Sequence, residues 1–147
     1  MRPGACRRIL ERDCGEHPMA KIQHIAIIAE NPEKLAHFYE DIYGMKITGR
    51  SQGDVWITDG YMDVAIIHKD NLPDQPTGIN HFGFTIDPEE KDEIYQKMGE
   101  HNLEPFDPRA SNPDPDRPFV EHAAFDIERN RFDISTGMRD LEEEVTR

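Results

Sequence analysis

The 147-residue sequence predicts an α+β domain built from two copies of a βαβββ unit. Two strand-to-helix openings match each other: His24 begins an apolar run that leads to Asn31-Pro32, and His81 begins one that leads to Asp87-Pro88. Three short strand-like segments follow each helix, and the last segments of the two halves also correspond. Because matching beginnings occur together with matching endings, we infer a duplicated unit rather than one chance similarity.

Both helices are predicted from their first residues. Asn31 and Asp87 are residue types that cap helix N-termini, and each precedes a proline at the first helical position, where a missing N–H costs nothing. Asp87 with Glu90 also fits a capping box. Gly44 is expected to end the first helix in the left-handed conformation.

The first helix is expected to pack on one face of the sheet through an apolar stripe. Its members follow helical spacing and comprise Leu35, Phe38, Tyr39 and Ile42. Trp56, in a later strand, is expected to form a wall or the core of a binding cup.

Strand-like segments complete each unit. In the first unit they are predicted at residues 45–50, 54–58 and 61–68, with Asp59-Gly60 as a tight turn. In the second unit they are predicted at 103–106, 119–127 and 131–136. The proline- and aspartate-rich segment 107–118 is a loop by composition, and its length suggests a lid over the site.

The chain divides into one domain with two short flanks. Residues 1–20, which include both cysteines, are interpreted as an N-terminal extension, and residues 138–147 as an acidic tail. The domain spans 21–137, with a first module at 21–69, a linker at 70–78 and a second module at 79–137.

Charge and composition exclude several classes of partner. The sequence has 17 basic and 30 acidic residues, for a formal charge of −13. Such an excess repels nucleic acids and anionic membranes, and no apolar run is long enough to span a bilayer. The sequence therefore predicts a cytoplasmic protein whose partner is a small molecule.

Strand alternation places four polar side chains on one face. His24, Asp63, His81 and Asp133 each alternate with bulky apolar residues in their strands. Imidazole and carboxylate together suit Fe, Mn, Ni, Co or Zn, so the four predict a site for one divalent metal. Each residue taken singly is also compatible with an ordinary hydrogen-bonded or solvated side chain. His122 is a candidate acid/base group, or else a plain strand histidine.

These motifs resemble the glyoxalase/bleomycin-resistance/extradiol-dioxygenase superfamily, whose members are called vicinal oxygen chelate proteins. The segments at 24–27, 31–32 and 38–44 resemble its opening module. The segments at 81–84 and 130–134 resemble its second module, and the resemblance covers residues 21–137.

The resemblance implies a cup of two curved four-stranded sheets, with a divalent metal at its base that is chelated by two neighbouring substrate oxygens. His24, His81 and Asp133 match the family's ligands, and Asp63 matches a fourth ligand used by its isomerase branch. The family's closing ligand is commonly glutamate, whereas this sequence has the shorter aspartate. Some members of the family exchange modules between two subunits. The sequence is therefore compatible with a homodimer as well as with a monomer.

Three functions follow from this resemblance. The first is a metal-dependent glyoxalase-like lyase or isomerase, in which the metal polarises a carbonyl and Asp63 or Asp133 removes a proton. The second is an Fe(II) extradiol-type dioxygenase that uses His24, His81 and Asp133, with His122 as proton shuttle. The third is a non-catalytic protein that binds a drug or metabolite, as in resistance proteins.

Overall fold

The computed structural model describes residues 19–108 and 122–136. The expectations for the N-terminal extension up to residue 18, for most of the 107–118 loop and for the acidic tail therefore lie outside the described residues. The elements, in chain order, are β1 (Lys21–Ala29), α1 (Pro32–Tyr43), β2 (Lys46–Ser51), β3 (Asp54–Thr58), β4 (Asp63–His68), β5 (Gly78–Ile86), α2 (Lys91–Glu100), β6 (His122–Phe125) and β7 (Arg131–Thr136). Two short 3-10 turns, Lys69–Asn71 and Pro88–Glu90, precede β5 and α2.

The seven strands in the described ranges form one mixed sheet in the order β2-β3-β4-β1-β5-β7-β6. In each half the first strand pairs in parallel with the last, β1 with β4 and β5 with β7. The halves join where β1 and β5 pair antiparallel. This repeated arrangement confirms the predicted α+β fold of two related units.

Local signals set both ends of α1 as predicted. The side chain of Asn31 accepts a hydrogen bond from the Lys34 N–H at 3.0 Å. Gly44 ends the helix with φ +69°, and its N–H donates to the Glu40 carbonyl at 3.0 Å. Glycine adopts this left-handed conformation without the steric cost that a Cβ would add.

The buried face of α1 differs from the predicted stripe. Leu35 and Tyr39 pack towards the sheet, but Phe38 is 50% exposed and Ile42 55% exposed. The contact is centred on Ala36, which is fully buried against β3 and β4. Because alanine lets the helix backbone approach the sheet, the helix is rotated so that the two larger residues face outward.

The second half departs from the prediction in its first elements. The Asp87 side chain makes no capping bond, so the capping box is wrong; the Glu90 N–H donates instead to the Asp87 carbonyl in a 3-10 turn. The predicted strand at 103–106 is reduced to one bridge between Phe106 and Ala123. Pro105 cannot donate a ladder hydrogen bond, which explains why no strand forms there.

Two other strand boundaries also moved. In the first half, β4 begins at Asp63 instead of residue 61, because the Asp59 side chain accepts hydrogen bonds from the Tyr61 and Met62 N–H groups. In the second half, the segment predicted at 119–127 gives only His122–Phe125, with 119–121 outside the described residues.

The sheet has an apolar core on each face. Ala36 of α1 packs on Val55, Ile57 and Ile66 of the sheet. Met98 of α2 belongs to a second cluster with Ile86, Ala124, Phe132 and Ile134. The opposite face of the first half carries Ala26, Ile28, Trp56, Ala65 and Ile67, which places Trp56 in the core of the face that also bears His24. In the part of the chain that the structure describes, no helix is long and apolar enough to cross a membrane.

Candidate metal centre

Three strands of the sheet bring three predicted side chains together. His24 lies on β1, His81 on β5 and Asp133 on β7. His24 pairs with Gly83 across β1 and β5, and Gly83 pairs with Asp133 across β5 and β7. Side chains at paired positions share a face, and His81 shares it too because it lies two residues before Gly83. Strand alternation therefore placed these three residues on one face, as the sequence predicted.

The donor atoms of this His24–His81–Asp133 cluster converge. His81 Nε2 lies 2.9 Å from Asp133 Oδ2 and 3.4 Å from His24 Nε2, and the donor atoms of the three residues all lie within 4.8 Å of one another. Two ligands at right angles, each about 2.1 Å from a metal, are about 3 Å apart. The spacing and the chemistry of these two imidazoles and one carboxylate thus fit a divalent metal ion.

Two neighbouring side chains orient the cluster. Asn80 Oδ1 lies 2.7 Å from His81 Nδ1, an arrangement that favours a proton on Nδ1 and leaves the Nε2 lone pair available. Arg131 donates to Asp133 Oδ1 at 3.2 and 3.4 Å, so that Oδ2 is the oxygen directed at His81. Neither residue was predicted from the sequence to serve the site, although Arg131 precedes Asp133 by two positions on the same strand face.

The electrostatics of Asp133 keep it ionised. Burial alone would raise the pKa of this carboxyl group, since it is only 4% exposed. The hydrogen bond to His81 and the charges of His81, Arg131 and His24 outweigh that effect, and the net pKa is lowered. An ionised carboxylate is the form that binds a metal.

Gly83 provides the space that His24 occupies. A Cβ built at Gly83 would lie 2.9 Å from His24 Cβ and 3.1 Å from its Cδ2. Real Cβ atoms do not approach other carbons this closely, so any larger residue would displace the imidazole. The glycine stands in the middle of β5, where a glycine often marks a close approach of this kind.

The other two predicted site residues are not among these converging donors. Asp63 pairs with His24 on the neighbouring strand β4 and is buried, but it does not belong to the set of converging donor atoms. His122 pairs with Ile134, which faces α2, and its Nδ1 lies 2.6 Å from the Tyr95 hydroxyl. The structure therefore places His122 on the face opposite Asp133, away from the cluster.

The sequence also matches a known family. The model of the Glyoxalase/Bleomycin resistance protein/Dioxygenase superfamily matches residues 21–133, which is most of the chain. The chain belongs to this superfamily. The cluster described above lies within the matched residues. No curated protein matches the sequence significantly.

Several solved structures share the fold. A hypothetical protein from Bacillus halodurans C-125 is 16% identical, with a TM-score of 0.61 over 83% of this chain and 97% of that one. The 2,3-dioxygenase LapB from Pseudomonas sp. KL28 is 17% identical, with a TM-score of 0.62. The match covers 82% of this chain but only 42% of the LapB chain. Methylmalonyl-CoA epimerase from Mycobacterium tuberculosis is 11% identical, with a TM-score of 0.59 over 86% of this chain and 97% of the epimerase chain.

Proposed function

We propose that this superfamily member is a mononuclear metal-dependent enzyme that binds a small substrate through two neighbouring oxygen atoms, and that its reaction is of the extradiol dioxygenase type. The observation that carries the proposal is the convergence of three donors, His24, His81 and Asp133, without Asp63. Two histidines and one carboxylate with open positions are typical of non-haem Fe(II) oxygenases. The geometry thus favours the second of the three functions over the four-ligand isomerase.

The residues around the cluster have distinct roles in this proposal. His24, His81 and Asp133 would hold the ion, which would supply Lewis-acid chemistry and, as Fe(II), reactivity with dioxygen. Asn80 and Arg131 hold two of the three donors in orientation and act before any substrate arrives.

The substrate would lie over the small side chains beside His81. Ala26 pairs with His81, and Ala65 and Trp56 continue the same row across β4 and β3. The two alanines and Trp56 are all buried and would form the apolar floor of the site.

A lyase or isomerase is the second candidate, and one observation favours it. Asp63 is buried next to His24 in register and faces the same side of the sheet. A small movement of β4 or the aspartate side chain would bring a fourth ligand, or a base for proton abstraction, towards the substrate.

Metal content separates these candidates. The test compares untagged wild-type protein with Asp63→Asn and Asp133→Asn by elemental analysis, followed by dioxygen uptake with catechol after anaerobic loading with Fe(II). If the protein is a dioxygenase, the wild type and Asp63→Asn should each hold about one metal ion per chain and take up dioxygen. Asp133→Asn should lose both the metal and the dioxygen uptake. Loss of metal in Asp63→Asn, or a wild-type protein that holds nickel, cobalt or zinc and takes up no dioxygen, would favour the isomerase.

A third outcome would overturn both enzyme proposals. If no metal copurifies and none binds on titration, the cluster is structural, and the chain would be a binding protein without chemistry. Thermal unfolding of each variant serves as the control for correct folding.

A further inference from the structure

Two exposed phenylalanines and two arginines form a surface beside the metal centre. The rings of Phe106 and Phe125 stack with centroids 6.0 Å apart and planes inclined by 24°. The Arg129 Cζ lies 5.0 Å from the Phe125 centroid, and the Arg131 Cζ lies 5.9 Å from the Phe106 centroid. Each ring is 39% exposed, which is high for phenylalanine in a sheet. We call these four residues the aromatic rim.

The aromatic rim lies on the same face as the metal cluster. Phe125 pairs with Arg131, Ala123 pairs with Asp133, and Phe106 forms a bridge with Ala123. Arg131 connects the two features directly, because its guanidinium contacts both Asp133 Oδ1 and the Phe106 ring. The rim therefore begins one side chain away from a predicted metal ligand.

A rigid turn holds Arg129 in this arrangement. The Asp126 carboxylate accepts hydrogen bonds from the Glu128 and Asn130 N–H groups, each at 2.9 Å. The Arg129 N–H donates to the Asp126 carbonyl at 3.0 Å, and Arg129 itself has φ +70°, a conformation that non-glycine residues rarely adopt. Since the turn fixes this unusual backbone, Arg129 is directed over Phe125 before a substrate binds.

We propose that the aromatic rim is the specificity surface of the site and binds the planar, negatively charged end of the substrate. An aromatic or conjugated ring would pack against the exposed parts of the Phe125 and Phe106 rings, and its carboxylate would pair with Arg129. This inference rests on the proposed function, which places two neighbouring substrate oxygens at the cluster. It adds that the substrate carries an anionic group on its far end.

The chain's overall charge makes these arginines informative. With a net charge of −13, the protein repels small anions, so an anionic substrate requires local cations where it enters. Arginine presents a planar fork that pairs with a carboxylate through two hydrogen bonds and stacks on aromatic rings at the same time. A hairpin held together by ring packing alone would not require a guanidinium over each ring.

The test compares probes that differ in one charge. Catechol and 3,4-dihydroxybenzoate are titrated into cobalt-loaded protein by calorimetry, for wild type, Arg129→Gln and Phe125→Leu. Wild type should bind the acid about fivefold more tightly than catechol, Arg129→Gln should bring this ratio near one, and Phe125→Leu should weaken both probes. Arg50→Gln, which removes an arginine in the first half, and Phe38→Leu, which alters a similarly exposed ring on α1, should change neither affinity.

A second arm keeps this inference separate from the proposed function. Benzoate and benzyl alcohol, which lack neighbouring oxygens, are titrated into metal-free protein by NMR. A preference for benzoate that disappears in Arg129→Gln would support the aromatic rim. Catechol binding that does not depend on metal would overturn the metal centre and leave that support for the rim intact. Equal binding of each charged and neutral pair in wild type, or a preference unchanged in Arg129→Gln, would overturn the rim and leave it as hairpin packing.

Discussion

Replacing Gly83 by alanine tests the metal centre through a residue that is not itself a ligand. The added Cβ would lie 2.9 Å from His24 Cβ and 3.3 Å from its Cγ. Neither atom is at the end of a flexible side chain, so relief requires that β1 and β5 separate or that the imidazole turns away. Both movements shift His24 Nε2 from its position 3.4 Å from His81 Nε2.

Overpacking of this kind typically costs about 1–3 kcal/mol of unfolding free energy. For a domain of this size, that corresponds to a fall of very roughly 4–12 °C in Tm. Displacement of one donor should also weaken the metal, and a loss on the order of 10- to 100-fold in affinity is usual when the support of a ligand is disturbed. We therefore expect both a lower Tm without metal and a weaker metal complex.

The assay is a cobalt competition titration together with thermal unfolding of the metal-free protein. Gly49→Ala is the matched control, because its Cβ would meet only Trp56 Cε3 at 3.7 Å, an ordinary contact. Gly99→Ala, inside α2 with nothing within 4 Å, should stabilise the fold by about 0.5–1 kcal/mol and leave the metal unchanged. If Gly83→Ala kept wild-type cobalt affinity, His24 would not be a ligand in the position that the structure gives it.

Three further variants probe the surroundings of the centre. Asn80→Ala removes the acceptor that lies 2.7 Å from His81 Nδ1, so metal affinity should fall about 10- to 100-fold. Nitrogen NMR of the metal-free protein should show less of the Nδ1–H tautomer of His81. An unchanged spectrum would refute this role of Asn80. Tyr95→Phe removes the 2.6 Å contact with His122 and should lower the free energy of unfolding in urea by about 1 kcal/mol. Cobalt affinity should not change. Weaker cobalt binding would mean that His122 contributes to the metal centre. Because backbone and side-chain hydrogen bonds from Asn130 lower the pKa of Asp126, its stabilising effect is complete near neutral pH and is lost as pH falls below 3.8. Asp126→Ala should therefore destabilise the protein in urea more at about pH 7 than at about pH 3, and an equal loss at both would contradict this explanation.

Features that depend on neighbouring residues in the chain could be predicted from the sequence. The cap at Asn31 and the left-handed Gly44 are set by local hydrogen bonds and sterics, and both were correct. The shared face of His24, His81 and Asp133 also follows from strand alternation, since each alternates with apolar residues that need a core.

Features that depend on lateral packing could not be predicted in the same way. Alternation gave the face of Asp63 but not its distance from the other donors, which depends on β4 lying on the far side of β1. The face of the sheet on which His122 lies could be predicted only with knowledge of its partner strand. Alternation within a short strand separates two sets of side chains but does not say which set faces the helices. The rotation of α1 likewise depended on Ala36, whose small size is important only against the sheet.

Because β1 pairs with β5, a metal ion held at the proposed centre would cross-link the two halves of the protein. His24 comes from the first half, whereas His81 and Asp133 come from the second. A bound ion would stabilise the assembled form by mass action, in proportion to the logarithm of its concentration over Kd. Metal supply would then control how firmly the halves hold together, and two fragments cut between β4 and β5 would reassemble more completely when an ion is present.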